Sequence, residues 1–161
     1  MTTRRFSHAL ILIAAGVLSA CASGPQGAAS RAAPIVADAD CPDVTQLHAA
    51  QLYGSWDLQL LGNGQRGQLT LRQHPEFSAS LRGEFRYAGL SSIASGDVEA
   101  GEFHLDESRD GKTLFAFWSG QLVPAACGAE IRGTWQTLPS AGQPAQESEF
   151  ILRRAGLPAA W

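Results

Sequence analysis

Charge is scarce in this chain, and what there is does not cluster. Only 17% of the 161 residues are Asp, Glu, Lys or Arg, with 12 basic against 15 acidic, a net charge of −3. No Lys/Arg run or basic stripe is available to neutralise phosphates, which excludes nucleic acid as a partner. Long apolar runs are missing too, since the stretch Ala9–Ala20 is too short for a comfortable bilayer span. H-x-x-x-H, C-x-x-C, G-x-S-x-G and a glycine-rich phosphate loop are all absent. The usual zinc, redox, hydrolase and nucleotide signatures go with them.

The remaining titratable residues form no catalytic set. His48, His74 and His104 lie on different segments, and the pairs Asp97/Glu99 and Glu147/Glu149 alternate onto one outer face, where solvated charge is their ordinary role. Asp106, Glu107 and Asp110 flank the turn "SRDG", Ser108 to Gly111, but lack the ligand spacing of a calcium loop. They are expected to be solvated turn residues. The composition therefore points away from an enzyme and implies neither a metal nor an organic cofactor.

What is present begins at the N-terminus. Arg4 and Arg5 followed by "ALILIAAGVLSA" read as a secretory signal over residues 1–20. The segment ends in "LSAC", Leu18 to Cys21, which resembles the lipobox of bacterial lipoproteins. That resemblance implies a diacylated Cys21 as mature N-terminus; the alternative is ordinary cleavage that leaves Cys21 free. In such lipoproteins an Asp after the Cys retains the protein at the inner membrane, and here that position is Ala22. The expectation is a lipid-anchored protein at the periplasmic face of the outer membrane, held by its acyl chains.

Residues 21–40, rich in Ala, Gly, Ser and Pro with no apolar period, read as a flexible tether. Residues 41–161 are left as a single domain. With Cys21 lipidated, Cys41 and Cys127 are an even pair in an oxidising compartment, where a disulfide is the default. From Cys41 to Gly54 one short helix or 3₁₀ turn is predicted, capped by Asp43 or Thr45, with Val44, Leu47, Ala50 and Leu52 on its apolar face.

Beyond Tyr53 the apolar residues alternate with period two between short turns, the pattern of an antiparallel all-β domain. Eight strands are predicted at about 53–61, 66–73, 77–88, 91–99, 101–107, 112–123, 127–138 and 147–154. One face of every strand is apolar and the other polar. Strands of that kind close most simply into an eight-stranded up-and-down barrel with a short N-terminal helix, which also removes the open edges. In such a meander Cys41 and the 6/7 turn bearing Cys127 lie at the same end, so the disulfide would pin the N-terminal segment across that mouth.

"YGSW", Tyr53 to Trp56, resembles the opening of a lipocalin, where G-x-W closes the barrel base and a late Arg packs on the indole. That resemblance implies such a role for Arg153 or Arg154. The spacing is also similar to the avidin family. Gly54 and Trp56 are followed by Leu81, Gly83 and Phe85, then by "WSGQ" at Trp118 to Gln121 and by Trp135. Residue by residue the avidin pocket is not carried over. Its ureido-binding Asn corresponds to Leu58, two serines to Gly62 and Tyr87, the third-strand Tyr to Phe85, the wall Trp to Leu105, and the Ser and Thr before W-S-G-Q to Leu114 and Ala116. Trp135 and Ser148 are what remains. A polar ring left without partners loses about 1–3 kcal/mol per group, so biotin binding is not expected.

Two kinds of binding remain in view. An interior lined by Trp56, Leu58, Phe85, Tyr87, Leu105, Leu114, Ala116 and Trp135 could hold a small apolar ligand, or these side chains could simply fill the barrel. Alternatively an outer wall bearing Phe115, Phe117 and Ile151 meets an envelope protein or a second copy of the chain. Some bacterial protease inhibitors are also small eight-stranded barrels with an inserting N-terminal segment, for which the residues before Cys41 would serve.

Overall fold

The computed structural model describes residues 41–140 and 142–156. The signal segment, Cys21 and the tether lie outside the described residues. Eight antiparallel strands form a closed barrel in sequence order. They are β1 (Gly54–Leu60), β2 (Arg66–Gln73), β3 (Leu81–Tyr87), β4 (Leu90–Glu99), β5 (Glu102–Ser108), β6 (Leu114–Leu122), β7 (Glu130–Thr137) and β8 (Glu147–Arg154). Closure is made by β1 against β8, with Trp56 opposite Arg154 and Leu60 opposite Phe150.

Period-two burial builds this barrel directly. Trp56, Phe85, Phe103, Trp118 and Phe150 are all essentially inaccessible, packed with Leu58, Leu60, Leu69, Leu71, Leu81, Leu105, Ile131 and Leu152. Their alternation with exposed residues lets one face of each strand supply the core. Two inward glycines let the strands bend tightly enough to close. A Cβ on Gly96 would overlap the His104 carbonyl, and one on Gly133 would overlap that of Ser119. β3 starts later than predicted because residues 77–80 belong to the loop after His74, where Phe77 is exposed and rests on the imidazole at 5.1 Å.

One end of the barrel is sealed. A 3₁₀ turn at Val44–Gln46 is capped by Asp43, whose carboxylate accepts the Thr45 N–H at 2.9 Å, and α1 (Ala49–Leu52) follows. Two short pieces thus replace the single one predicted. Val44, Leu47, Ala49 and Leu52 are buried, whereas Ala50 is exposed, because the break at Leu47–His48 resets the helical phase. The Leu52 carbonyl accepts the Trp56 indole N–H at 2.9 Å. Cys41 is bonded to Cys127, with their Cα atoms 4.8 Å apart. Arg154 completes the seal: its guanidinium lies 4.7 Å above the Trp56 ring and donates to the carbonyls of Tyr53 (3.0 Å) and Gln51. Arg153 instead faces outward and pairs with Glu130 at 2.7 Å.

Candidate functional site

The opposite end of the barrel carries an arrangement of a different kind. Glu107, near the end of β5, is fully buried. Its two oxygens accept from the Tyr87 hydroxyl at 2.9 Å, the Ser92 hydroxyl at 2.5 Å, and the indole N–H groups of Trp118 at 2.8 Å and Trp135 at 3.4 Å. These donors come from β3, β4, β6 and β7. A charged or polar group taken out of water is tolerated only when its hydrogen-bonding capacity is met, and here it is met by neutral donors. Among the described residues no cationic side chain lies within 4 Å of this carboxyl group.

The expectation that Glu107 is a solvated turn residue is therefore corrected. Phe103, Leu105 and Glu107 share the inner face of β5, and that alternation was the signal available in the sequence. Proximity to the turn obscured it. Asp106 and Asp110 are exposed as expected, although Asp106 lies on the outer face of β5 and only Asp110 is in the turn. Asp110 shapes the turn by accepting the N–H groups of Lys112 (2.8 Å) and Thr113 (2.7 Å), together with the hydroxyls of Ser108 and Thr113. These bonds hold its carboxyl well below the usual range.

Aromatic rings enclose the glutamate. Phe85 stacks on Trp118 with centroids 4.4 Å apart, and Tyr87 presents its edge to Trp118 at 5.9 Å and to Trp135 at 6.3 Å. Phe115 adjoins Trp135 at 6.5 Å. Burial first, and then the charge and hydrogen bond of Glu107, push the Tyr87 phenol far above its ordinary pKa, while the nearby Arg109 guanidinium acts the other way. Arg109 itself lies over the Phe115 ring at 3.5 Å. Between it and β3/β4 is an open recess of about 350 Å³, touched by Phe85, Arg86, Ser92, Ile93, Arg109 and Asp110.

Of the interior residues singled out from the sequence, Trp56, Leu58, Phe85, Tyr87, Leu105, Ala116 and Trp135 are buried and packed together. Leu114 is only half-buried. The cause is a bulge in β6: Glu107 pairs with Ala116 but Ser108 pairs with Leu114, leaving Phe115 unpaired between them. The extra residue turns Phe115 toward the mouth, where it packs on the core rather than standing on the outer wall. Ile151, also expected on that wall, is 9% exposed; it is flanked in register by Gln59 and Arg132, long side chains that can cover apolar surface. Phe117 does remain exposed. The exposed leucines not anticipated are Leu61, Leu90 and Leu138, which border the β1/β2, β3/β4 and β7/β8 turns and so share the unsealed end with Glu107.

Ser148, the last polar position of the avidin comparison, lies on β8 and accepts the Gly62 N–H at 3.0 Å, so its hydroxyl supports the β1/β2 turn. A second, wider groove of about 530 Å³ runs along the outer wall over β5–β7. Among the described residues no group of three or more His, Cys, Asp or Glu side chains is placed to hold a metal ion.

Fold and site together define a closed eight-stranded antiparallel barrel of calycin-like architecture, sealed at one end and centred on a buried carboxyl group at the other. No protein-family model matches the chain, and no curated protein matches it.

Proposed function

We propose that this is a lipid-anchored envelope lipoprotein whose barrel is a non-catalytic binding module that meets its partner through the unsealed mouth. Cys21, the signal before it and Ala22 after it support anchoring at the periplasmic face of the outer membrane. The observation that carries the binding reading is the composition of the mouth. Exposed Leu61, Leu90 and Leu138 stand beside turns at the rim of this end, where a recess lined by Arg109 and Ser92 reaches the Glu107 network, and apolar groups near a few convergent polar ones are what a contact surface needs. Bulky rings occupy the interior from Trp56 to Trp118, which favours contact at the mouth over carriage of a small apolar ligand within. The barrel resembles lipocalins and avidins in its architecture, while the side chains that correspond to the avidin pocket suit no biotin.

The test uses the full chain in its own envelope. Cys21→Ala should move it from the membrane to the soluble fraction. Photo-crosslinking from position 138 should give a discrete adduct that Leu61→Asp/Leu90→Asp removes and Phe117→Ser leaves in place. A soluble distribution of the wild type, or crosslinking indifferent to the rim leucines, would overturn the reading.

A further inference from the structure

The Glu107 network places one carboxyl group among aromatic side chains at the end of the barrel away from the plug. A fully buried carboxyl group is costly to retain, and it obliges the barrel to keep buried donors around it that a wholly apolar interior would not need. Here the group is surrounded by Tyr87, Trp118 and Trp135, with Phe115 brought to the mouth by the β6 bulge. Those three rings turn their O–H and N–H edges to Glu107, whereas Phe115 offers a ring face, and a ring face near a buried carboxyl group favours a cation.

A cation is already seated on the Phe115 face. The Arg109 guanidinium lies 3.5 Å over the Phe115 ring, close enough to act on the Tyr87 hydroxyl that donates to Glu107. Arg109 nevertheless belongs to an exposed turn, and its neighbour Asp110 offers no competing ion pair, being committed to its own turn. The recess of about 350 Å³ that Arg109 borders adjoins the guanidinium's seat on the ring. Planarity and weak hydration suit a guanidinium, more than an ammonium, to this stacked position.

We propose that the mouth is a guanidinium-binding site, with Glu107 as counter-charge, Phe115 as stacking platform and Arg109 as an internal occupant that an incoming arginine side chain or small alkylguanidine displaces. This rests on the mouth-binding reading above and names the chemistry the mouth selects. It predicts that the module recognises a partner through a projecting arginine, with the rim leucines gripping the surrounding apolar surface.

The experiment is calorimetric titration of the full chain in detergent with N-acetyl-arginine amide, its neutral citrulline isostere and methylguanidinium. Arg109→Ala should bind the arginine probe at least about 10-fold more tightly than wild type, since the internal competitor is gone. Phe115→Leu on that background should weaken binding about 3- to 30-fold, the range of a cation–π contact, and keeps an apolar side chain packed against the core. Glu107→Gln should remove most of the preference for arginine over citrulline; if it fails to fold, the Phe115→Leu comparison still decides. Stronger binding of the amino-acid amide than of methylguanidinium marks a polypeptide source, and equal binding a small alkylguanidine. If Arg109→Ala gains nothing, or citrulline binds as well as arginine, the proposal is overturned. In that event crosslinking that still depends on Leu61 and Leu90 preserves the mouth-binding reading, and its loss removes both.

Discussion

The Trp118 indole donates to the Glu107 carboxylate at 2.8 Å where both residues are wholly excluded from solvent. The bond joins β6 to β5 in the interior of the barrel, with Tyr87, Ser92 and Trp135 completing the set from three other strands. The mouth is therefore held by one acceptor shared among four donors. Loss of the acceptor exposes the weakness of that design, because each abandoned buried donor carries its own desolvation penalty.

Glu107→Leu is accordingly expected to destabilise the barrel by about 3–5 kcal/mol, the range found when one partner of a buried polar set is removed. Glu107→Gln keeps one acceptor oxygen but turns an NH₂ group toward donors, and about half that loss is expected. Urea denaturation of both variants checks the order. A leucine variant as stable as wild type would show that the network contributes little to folding.

Tyr87 sets the alkaline limit of the same network. Burial and the neighbouring Glu107 raise its folded pKa above the value near 10 of an unfolded tyrosine. A raised folded pKa contributes stability that is complete below about pH 10 and is lost as pH rises above it. The wild type should thus lose stability between about pH 10 and 12 more steeply than Tyr87→Phe, which has no phenol to ionise. Melting temperatures across that interval, compared between the two proteins, give the measurement.

Much of the architecture was legible because the barrel is written in alternation. Leu69 and Leu71, or Phe103 and Leu105, point inward in an unbroken period of two, and glycine-containing turns separate the runs. Cys41 and Cys127 could be paired by count once Cys21 was set aside, and an eight-strand meander placed both at one end. The mouth was far less legible. Glu107 obeys the same alternation as Leu105, yet its charge and its place beside the turn suggested solvent. Phe115 could not be placed by period at all, since a bulge resets the phase of a strand without a distinct residue signature. Leu114 was lost from the interior for the same reason.

Strand curvature supplies a third prediction. Gly133 faces the backbone of β6 so closely that an added methyl group would overlap the Ser119 carbonyl oxygen. Gly133→Ala should cost about 2–3 kcal/mol or more, because backbone atoms cannot yield as a flexible side chain does. Gly89→Ala, at a φ of +72° with no neighbour near the new methyl, should cost only about 1 kcal/mol of backbone strain. Similar losses at the two sites would mean that β6 and β7 can separate without disturbing closure.

Arg154 is expected to matter more than a charge at a strand end normally would. It covers the Trp56 indole and donates to two carbonyls of the plug, those of Tyr53 and Gln51. Arg154→Ala should destabilise by about 2 kcal/mol through the lost stacking and the abandoned carbonyls. Arg154→Lys should recover little, since an ammonium lacks the planar fork that serves both carbonyls and the ring together. Arg153→Ala, removing an exposed pair with Glu130, should change stability by less than about 1 kcal/mol.

The last prediction separates the sealed end from the open one. Cys41 and Cys127 close a loop spanning 86 positions, a length at which a cross-link restricts the unfolded chain enough to stabilise by about 2–4 kcal/mol. Reduction, or the double substitution Cys41→Ser/Cys127→Ser, should lower the urea midpoint accordingly. It should also loosen Val44, Leu47 and Leu52 from the barrel base, since the disulfide ties the chain just ahead of the plug. Hydrogen exchange would then show faster exchange at Gln46, Leu47 and Tyr53, whose N–H groups bond only within the plug. The amides of β4 and β5 around Ser92 and Glu107 should keep their protection relative to the new global stability, because that end is held by the carboxyl group and not by the sulfurs. Equal loss of protection at both ends would instead show the plug and the mouth to be one cooperative unit.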